Sequence, residues 1–116
     1  MVKFNYSKKA KGDLMQVKNR IYDGTLYIVL AGELDEHTAN FVRDEIDRLV
    51  GAKKVRQVII DLSELEFMDS TGVGVMIGRY KKFKERGIPV FISNPSLHAE
   101  RIFKMSGLYE IMPKIS

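Results

Sequence analysis

The sequence contains no cysteine and no tryptophan. Without cysteine there is no disulfide, no thiolate nucleophile and no cysteine-ligated metal. No apolar run approaches the roughly 20 residues that a membrane-spanning helix needs. The opening Met1-Val2-Lys3-Phe4-Asn5-Tyr6 lacks the apolar stretch and small-residue cleavage site of a signal peptide. Together these absences predict a soluble, cytoplasmic protein. Histidine is scarce as well: His37 and His98 stand far apart, both at predicted helix starts where exposure is expected. Such a pair makes a poor metal site. There is no internal repeat, linker or low-complexity tract.

What is present suits one folded domain. The chain has 116 residues, of which 45% are hydrophobic, enough for a core of its own. Lys and Arg number 19 against 15 Asp and Glu, giving a net charge of +4. Lys8, Lys9 and Lys11 lie in a polar N-terminal stretch. Lys81, Lys82, Lys84 and Arg86 crowd the end of a predicted helix, where cations suit the dipole. No helix-turn-helix or aromatic RNA-binding pattern accompanies the charge, so a solvated basic surface is predicted, without direct DNA binding.

Residues 14–22 read as a strand and Asp23-Gly24 as a two-residue hairpin turn with positive φ at both positions. Thr25 to Ala31 is β-branched, aromatic and apolar, a second strand that Gly32-Glu33-Leu34-Asp35 ends. From His37 to Val50 the period becomes helical, with Ala39, Val42, Ile46, Leu49 and Val50 on one face. Asp35 or Thr38 caps its start, and Gly51 sits just past its end. Val58-Ile59-Ile60 predicts a strand covered on both faces. After a loop, a helix runs from Ser70 to Gly87, a short strand covers Ile88 to Ser93, and Pro95 opens a third helix. Ile111-Met112 is read as a short last strand. Alternating strands and helices after a hairpin give a mixed α/β sheet flanked by helices.

Loops leaving the carboxyl ends of parallel strands share one edge of the sheet, where ligand and partner sites concentrate. Here they are Gly32–Thr38, Ser63–Gly72 and Ser93–Leu97, which gather Asp35, Thr38, Asp69, Ser70, Thr71 and Asn94. Catalysis fits poorly. No Gly-x-Ser-x-Gly elbow surrounds Ser70. Met-Asp-Ser-Thr-Gly-Val-Gly lacks both the Gly-Lys-Ser/Thr of a phosphate-cradling loop and the dinucleotide spacing. The plain reading of Asp69-Ser70-Thr71 is helix capping. Gly74 and Gly78, four apart, would allow close backbone packing on one helix face.

Three segments resemble one family. Gly-Glu-Leu-Asp-Glu-His-Thr-Ala at 32–39, Phe-Met-Asp-Ser-Thr-Gly-Val-Gly at 67–74 and Phe-Lys-Met-Ser-Gly-Leu at 103–108 are similar to bacterial anti-sigma factor antagonists. These belong to the STAS domain family, shared with sulfate transporters. The resemblance spans about residues 15–112 in order and spacing, and divides the chain into an N-terminal extension, 1–13, and a STAS domain, 14–116. The extension is expected as an edge strand or a mobile stretch, and the chain looks short at its C-terminus.

The resemblance implies a non-enzymatic partner switch with no cofactor and no metal. The unphosphorylated antagonist binds an anti-sigma factor that is also a serine kinase, which frees the sigma factor. Phosphorylation then ends binding, and a metal-dependent serine phosphatase restores it. The implied acceptor is Ser70, with Asp35, Thr38, Asp69, Thr71, Gly72 and Asn94 around it or on the partner surface. Two other readings stand beside this one: a STAS module holding a nucleotide, lipid or small metabolite, and a subunit of a stress-signalling scaffold.

Overall fold

The computed structural model describes residues 5–10, 14–52 and 54–116. Six strands form one sheet: β1 (Asn5–Ala10), β2 (Met15–Tyr22), β3 (Thr25–Leu34), β4 (Gln57–Asp61), β5 (Leu65–Met68) and β6 (Val90–Ser93). Three helices join them, α1 (Ala39–Ala52), α2 (Ser70–Lys84) and α3 (Leu97–Ser106), followed by a 3-10 turn at Leu108–Glu110. The strand order is β1-β2-β3-β4-β6, with β5 also paired to β3. β2 pairs antiparallel with both β1 and β3, while β4 and β5 pair parallel with β3, and β6 parallel with β4. This is the mixed α/β sheet that the alternation of elements predicts. Within the N-terminal extension, Asn5–Ala10 is an edge strand on β2; the rest of residues 1–13 lies outside the described residues.

The Asp23-Gly24 turn has φ of 49° and 80°, and Tyr22 pairs with Thr25 across it. Positive φ at both positions matches the turn twist to that of the strands. Arg56 anchors the turn from β4's side, donating from Nη2 to the Asp23 carbonyl at 2.6 Å.

Burial alternates along the central strands. Val58 and Ile60 are buried and Ile59 is half-buried, so the expected strand covered on both faces is corrected. Alternation sends Val58 and Ile60 into one core with Val42, Ile46, Met76, Phe83 and Phe103, and turns Ile59 to the opposite face.

Three boundaries also differ from the sequence reading. β3 continues through Gly32 to Leu34, because Leu65–Met68, read as loop, pairs with Gly32–Leu34 as β5. Gly51 lies inside α1, with open space where its Cβ would be. Ile111-Met112 is no strand: the Met112 amide closes a turn onto the Leu108 carbonyl at 2.8 Å. The edge of β6 is instead covered by residues 113–116, through Ile92 N to Pro113 O, Ile115 N to Ile92 O and Asn94 N to Ser116 O.

Lys114 ties this last segment to α3, its Nζ 3.0 Å from Glu100 Oε2. The hydrogen bond from Lys114 holds the Glu100 carboxyl below the usual carboxylate range. A depressed carboxylate contributes stability above its unfolded value of about 4.3 and loses it as pH falls through the folded one. Lys114→Ala should therefore move the Glu100 titration, followed by carboxyl NMR shifts, back up toward that value. An unmoved titration would mean the pair does not form in solution. No helix among the described residues is long and apolar enough to cross a membrane.

Candidate functional site: the amino end of α2

The site is built where β5 turns into α2. Asp69 is extended, with φ −104° and ψ −172°, and its Oδ1 accepts the Gly72 amide at 2.9 Å. The capping reading of Asp69-Ser70-Thr71 therefore accounts for Asp69 alone. Ser70 and Thr71 are exposed, and no hydrogen bond among the described residues engages either hydroxyl. A serine hydroxyl is thus left open at the first residue of a 15-residue helix, the end where the dipole favours an anion.

Gly72 fixes this turn against the neighbouring loop. A Cβ there would meet the Leu34 carbonyl oxygen at 2.5 Å and Met68 Cγ at 2.7 Å. The Asp69 amide donates to the same Leu34 carbonyl at 3.3 Å. Backbone of the 67–72 segment therefore lies directly on the start of the Asp35 loop. Gly74 and Gly78 have nothing within 4 Å of a built Cβ, so close packing is not their reason.

Asp35 follows Leu34 and closes its own turn. Its Oδ1 accepts from the amides of His37 at 2.8 Å and Thr38 at 3.2 Å. Thr38 is fully buried, accepts the Asp35 amide at 3.1 Å and donates to the Glu33 carbonyl at 2.7 Å. The two residues cap the entry to α1 reciprocally. Thr38 faces the interior and offers no surface to a partner.

Asn94 lies elsewhere. It ends β6 with φ 54°, and β6 stops level with Val29 of β3, through Val29↔Asp61 and Asp61↔Ser93. β5 pairs with β3 up to Leu34, five residues further on. At about 3.3 Å per residue that is roughly 16 Å along the sheet. Asp35, Asp69, Ser70, Thr71 and Gly72 share one end of the sheet, and Asn94 stands below them.

The third loop reaches the site through a residue the sequence reading set aside. His98 was expected at an exposed helix start, but it is half-buried. Its Nε2 accepts the Met68 amide at 3.3 Å, and its ring stacks on Phe67 with centroids 5.7 Å apart and planes 25° apart. Ser96 caps α3 by accepting the Ala99 amide at 3.2 Å, which points the helix start back toward β5. Thirty residues separate His98 from Met68, and no local pattern signals that contact.

One variant separates capping from surface chemistry at Asp35. Asp35→Ala should lower stability by about 1 kcal/mol, the usual cost of a lost cap, while Asp35→Asn, which still accepts, should stay within a few tenths. Equal losses in thermal unfolding of both variants would show that the charge, not the cap, is what the fold uses.

Comparison with known proteins places this geometry. The STAS domain family matches residues 16–116. An anti-sigma F factor antagonist of Paenibacillus polymyxa is 39% identical over 101 residues, covering 85% of each chain. The anti-sigma factor antagonist SpoIIAA in its unphosphorylated form superposes with a TM-score of 0.72 at 30% identity, covering 88% of both chains. The Bacillus cell fate determinant SpoIIAA in its phosphorylated form gives a TM-score of 0.66 at 30% identity, covering 88% of this chain and 91% of that one. With its sheet order, its exposed serine at the head of α2 and these relatives, the chain belongs to the STAS domain family, among the anti-sigma factor antagonists.

Proposed function

We propose that this protein is a non-enzymatic cytoplasmic switch that binds an anti-sigma factor with serine kinase activity and is released when Ser70 is phosphorylated. A metal-dependent serine phosphatase resets it. The observation that carries this reading is the open hydroxyl of Ser70, held at the amino end of α2 by the Asp69 cap and the Gly72 contact. That the chain superposes on both an unphosphorylated and a phosphorylated SpoIIAA is consistent with a mark that leaves the fold in place.

The charge balance supports a local effect. A phosphoserine adds about −1.5 to −2 charges near neutral pH. The helix dipole favours an anion there by about 0.3–1 kcal/mol. Ser70 is exposed, so each of Asp35 and Asp69, taken at roughly 8 Å across water, opposes each added unit charge by only about 0.5 kcal/mol before screening. Salt reduces that repulsion further, so the fold tolerates the phosphate. A partner surface pressed on Ser70 has no comparable relief.

Incubation with the cognate kinase and ATP should add one phosphate, mapped by mass spectrometry to Ser70. A phosphate mapped to Thr71, which is also exposed, would overturn the assignment.

A further inference from the structure

The other end of α2 carries a second feature that the switch does not use. A cleft of about 360 Å³ lies between the helix end, the start of β6 and the C-terminal turn, lined by Tyr80, Lys84, Ile88, Val90, Ile111 and Pro113 among others. Its volume falls at the small end of ligand sites, about 300–1,000 Å³. Ile88 and Val90 are 5% and 2% exposed and form its floor, while Tyr80 and Ile111 are half-buried walls. The 14 residues from Ser70 to Lys84 put it about 21 Å from the phosphorylation segment.

Two polar features converge on this apolar space. The first is Lys84, exposed at the rim with Nζ 5.5 Å from the Tyr80 ring centroid and no carboxylate in salt-bridge range among the described residues. The carbonyls at the helix end beside it are already engaged: Lys81 by Glu85, Phe83 by Arg86 and Ile88, and Lys84 by Gly87. Those bonds blunt the negative end of the dipole, and Lys84 is the one charged residue in the lining.

The second is the main chain of Val90. Along β6, Pro89 and Ser93 accept bonds from β4, while Ile92 bonds outward to Pro113 and Ile115. Alternation turns the Val90 N–H and C=O the same way as those of Ile92, toward the cleft. The residue that would continue that outer pairing is Pro113, which has no N–H to give.

We propose that this cleft binds a small molecule with a compact apolar body and a carboxylate head, the head on Lys84 and the Val90 N–H and the body over the side chains of Ile88 and Ile111. The charge complementarity selects an anion, and the largely apolar lining selects an apolar remainder. The site stands independently of the switch, since none of its residues touches the Ser70 segment.

The probe is octanoate, titrated into the full chain with amide NMR, alongside octanol and octyltrimethylammonium. Saturable shifts confined to Tyr80, Ile88, Val90, Phe91 and Ile111 are expected, with the cation at least tenfold weaker than the carboxylate. Lys84→Glu, at an exposed position that leaves the spectrum folded, should weaken octanoate at least tenfold and leave octanol unchanged. Absence of saturable shifts, equal affinity for the cation, or an unaltered octanoate affinity in Lys84→Glu overturns the proposal. So does an acidic peptide that binds at Lys84 where octanoate does not.

Discussion

Phosphorylation of Ser70 should lower affinity for the anti-sigma factor by at least about a hundredfold, equivalent to roughly 2.7 kcal/mol, while the backbone hardly moves. Ser70 is exposed and its hydroxyl has no bond among the described residues to lose, so a phosphate displaces nothing inside the domain. The new charge instead confronts whatever surface covers the amino end of α2. Amide shift changes should gather at Asp69–Gly72 and at the Leu34–Asp35 turn, which meets this segment through the Leu34 carbonyl. His98 should report too, because its ring accepts the Met68 amide. Asn94 should stay silent, being about 16 Å away along the sheet by the strand register. Ser70→Ala should bind and never be released by ATP, whereas Ser70→Asp should bind weakly from the start. Changes reaching the Gly107 end of α3 would defeat this account, since the phosphate would then act through a second global conformation.

Gly72→Ala should cost about 1–3 kcal/mol, the range for overpacking a close contact. Its new methyl would stand 2.5 Å from the Leu34 carbonyl oxygen, which is backbone and held by the Asp69 amide. Relief requires the α2 start to lift off the Asp35 loop, so partner affinity should fall together with stability. Gly74→Ala, two residues on, meets nothing within 4 Å and should gain about 0.5–1 kcal/mol from the higher helix propensity of alanine. Chemical denaturation of the two variants makes the comparison. If both gain stability, the contact between the two loops is looser than the structure has it, and Gly72 owes its place to something else.

The hairpin and the helices were legible because their signals are local. Asp23-Gly24 needs positive φ wherever it occurs, and the apolar faces of residues 37–50 and 73–83 repeat at helical spacing. β5 was hidden because Leu65–Met68 has four residues, only two of them buried, too few for a period to show. Its strand character comes from the Gly32–Leu34 edge that β4 leaves free. The one covered face of β4 was unreadable for a related reason: Val58, Ile59 and Ile60 look alike in sequence, and only the helix side chains packed against the sheet distinguish them.

The sequence by itself determined the α/β architecture, the position of Ser70 at a helix start and the family to which the motif belongs, since each depends on residues adjacent along the chain. Only the tertiary structure decided which of the gathered polar residues do what. Asp69 caps and Ser70 does not, Thr38 is turned inward, Asn94 falls short of the site, and His98 reaches it from 30 residues away. Those outcomes depend on strand register and on where α3 leans against β5. A register is chosen by summed pairing and packing over the whole sheet, a quantity that no short stretch of sequence carries.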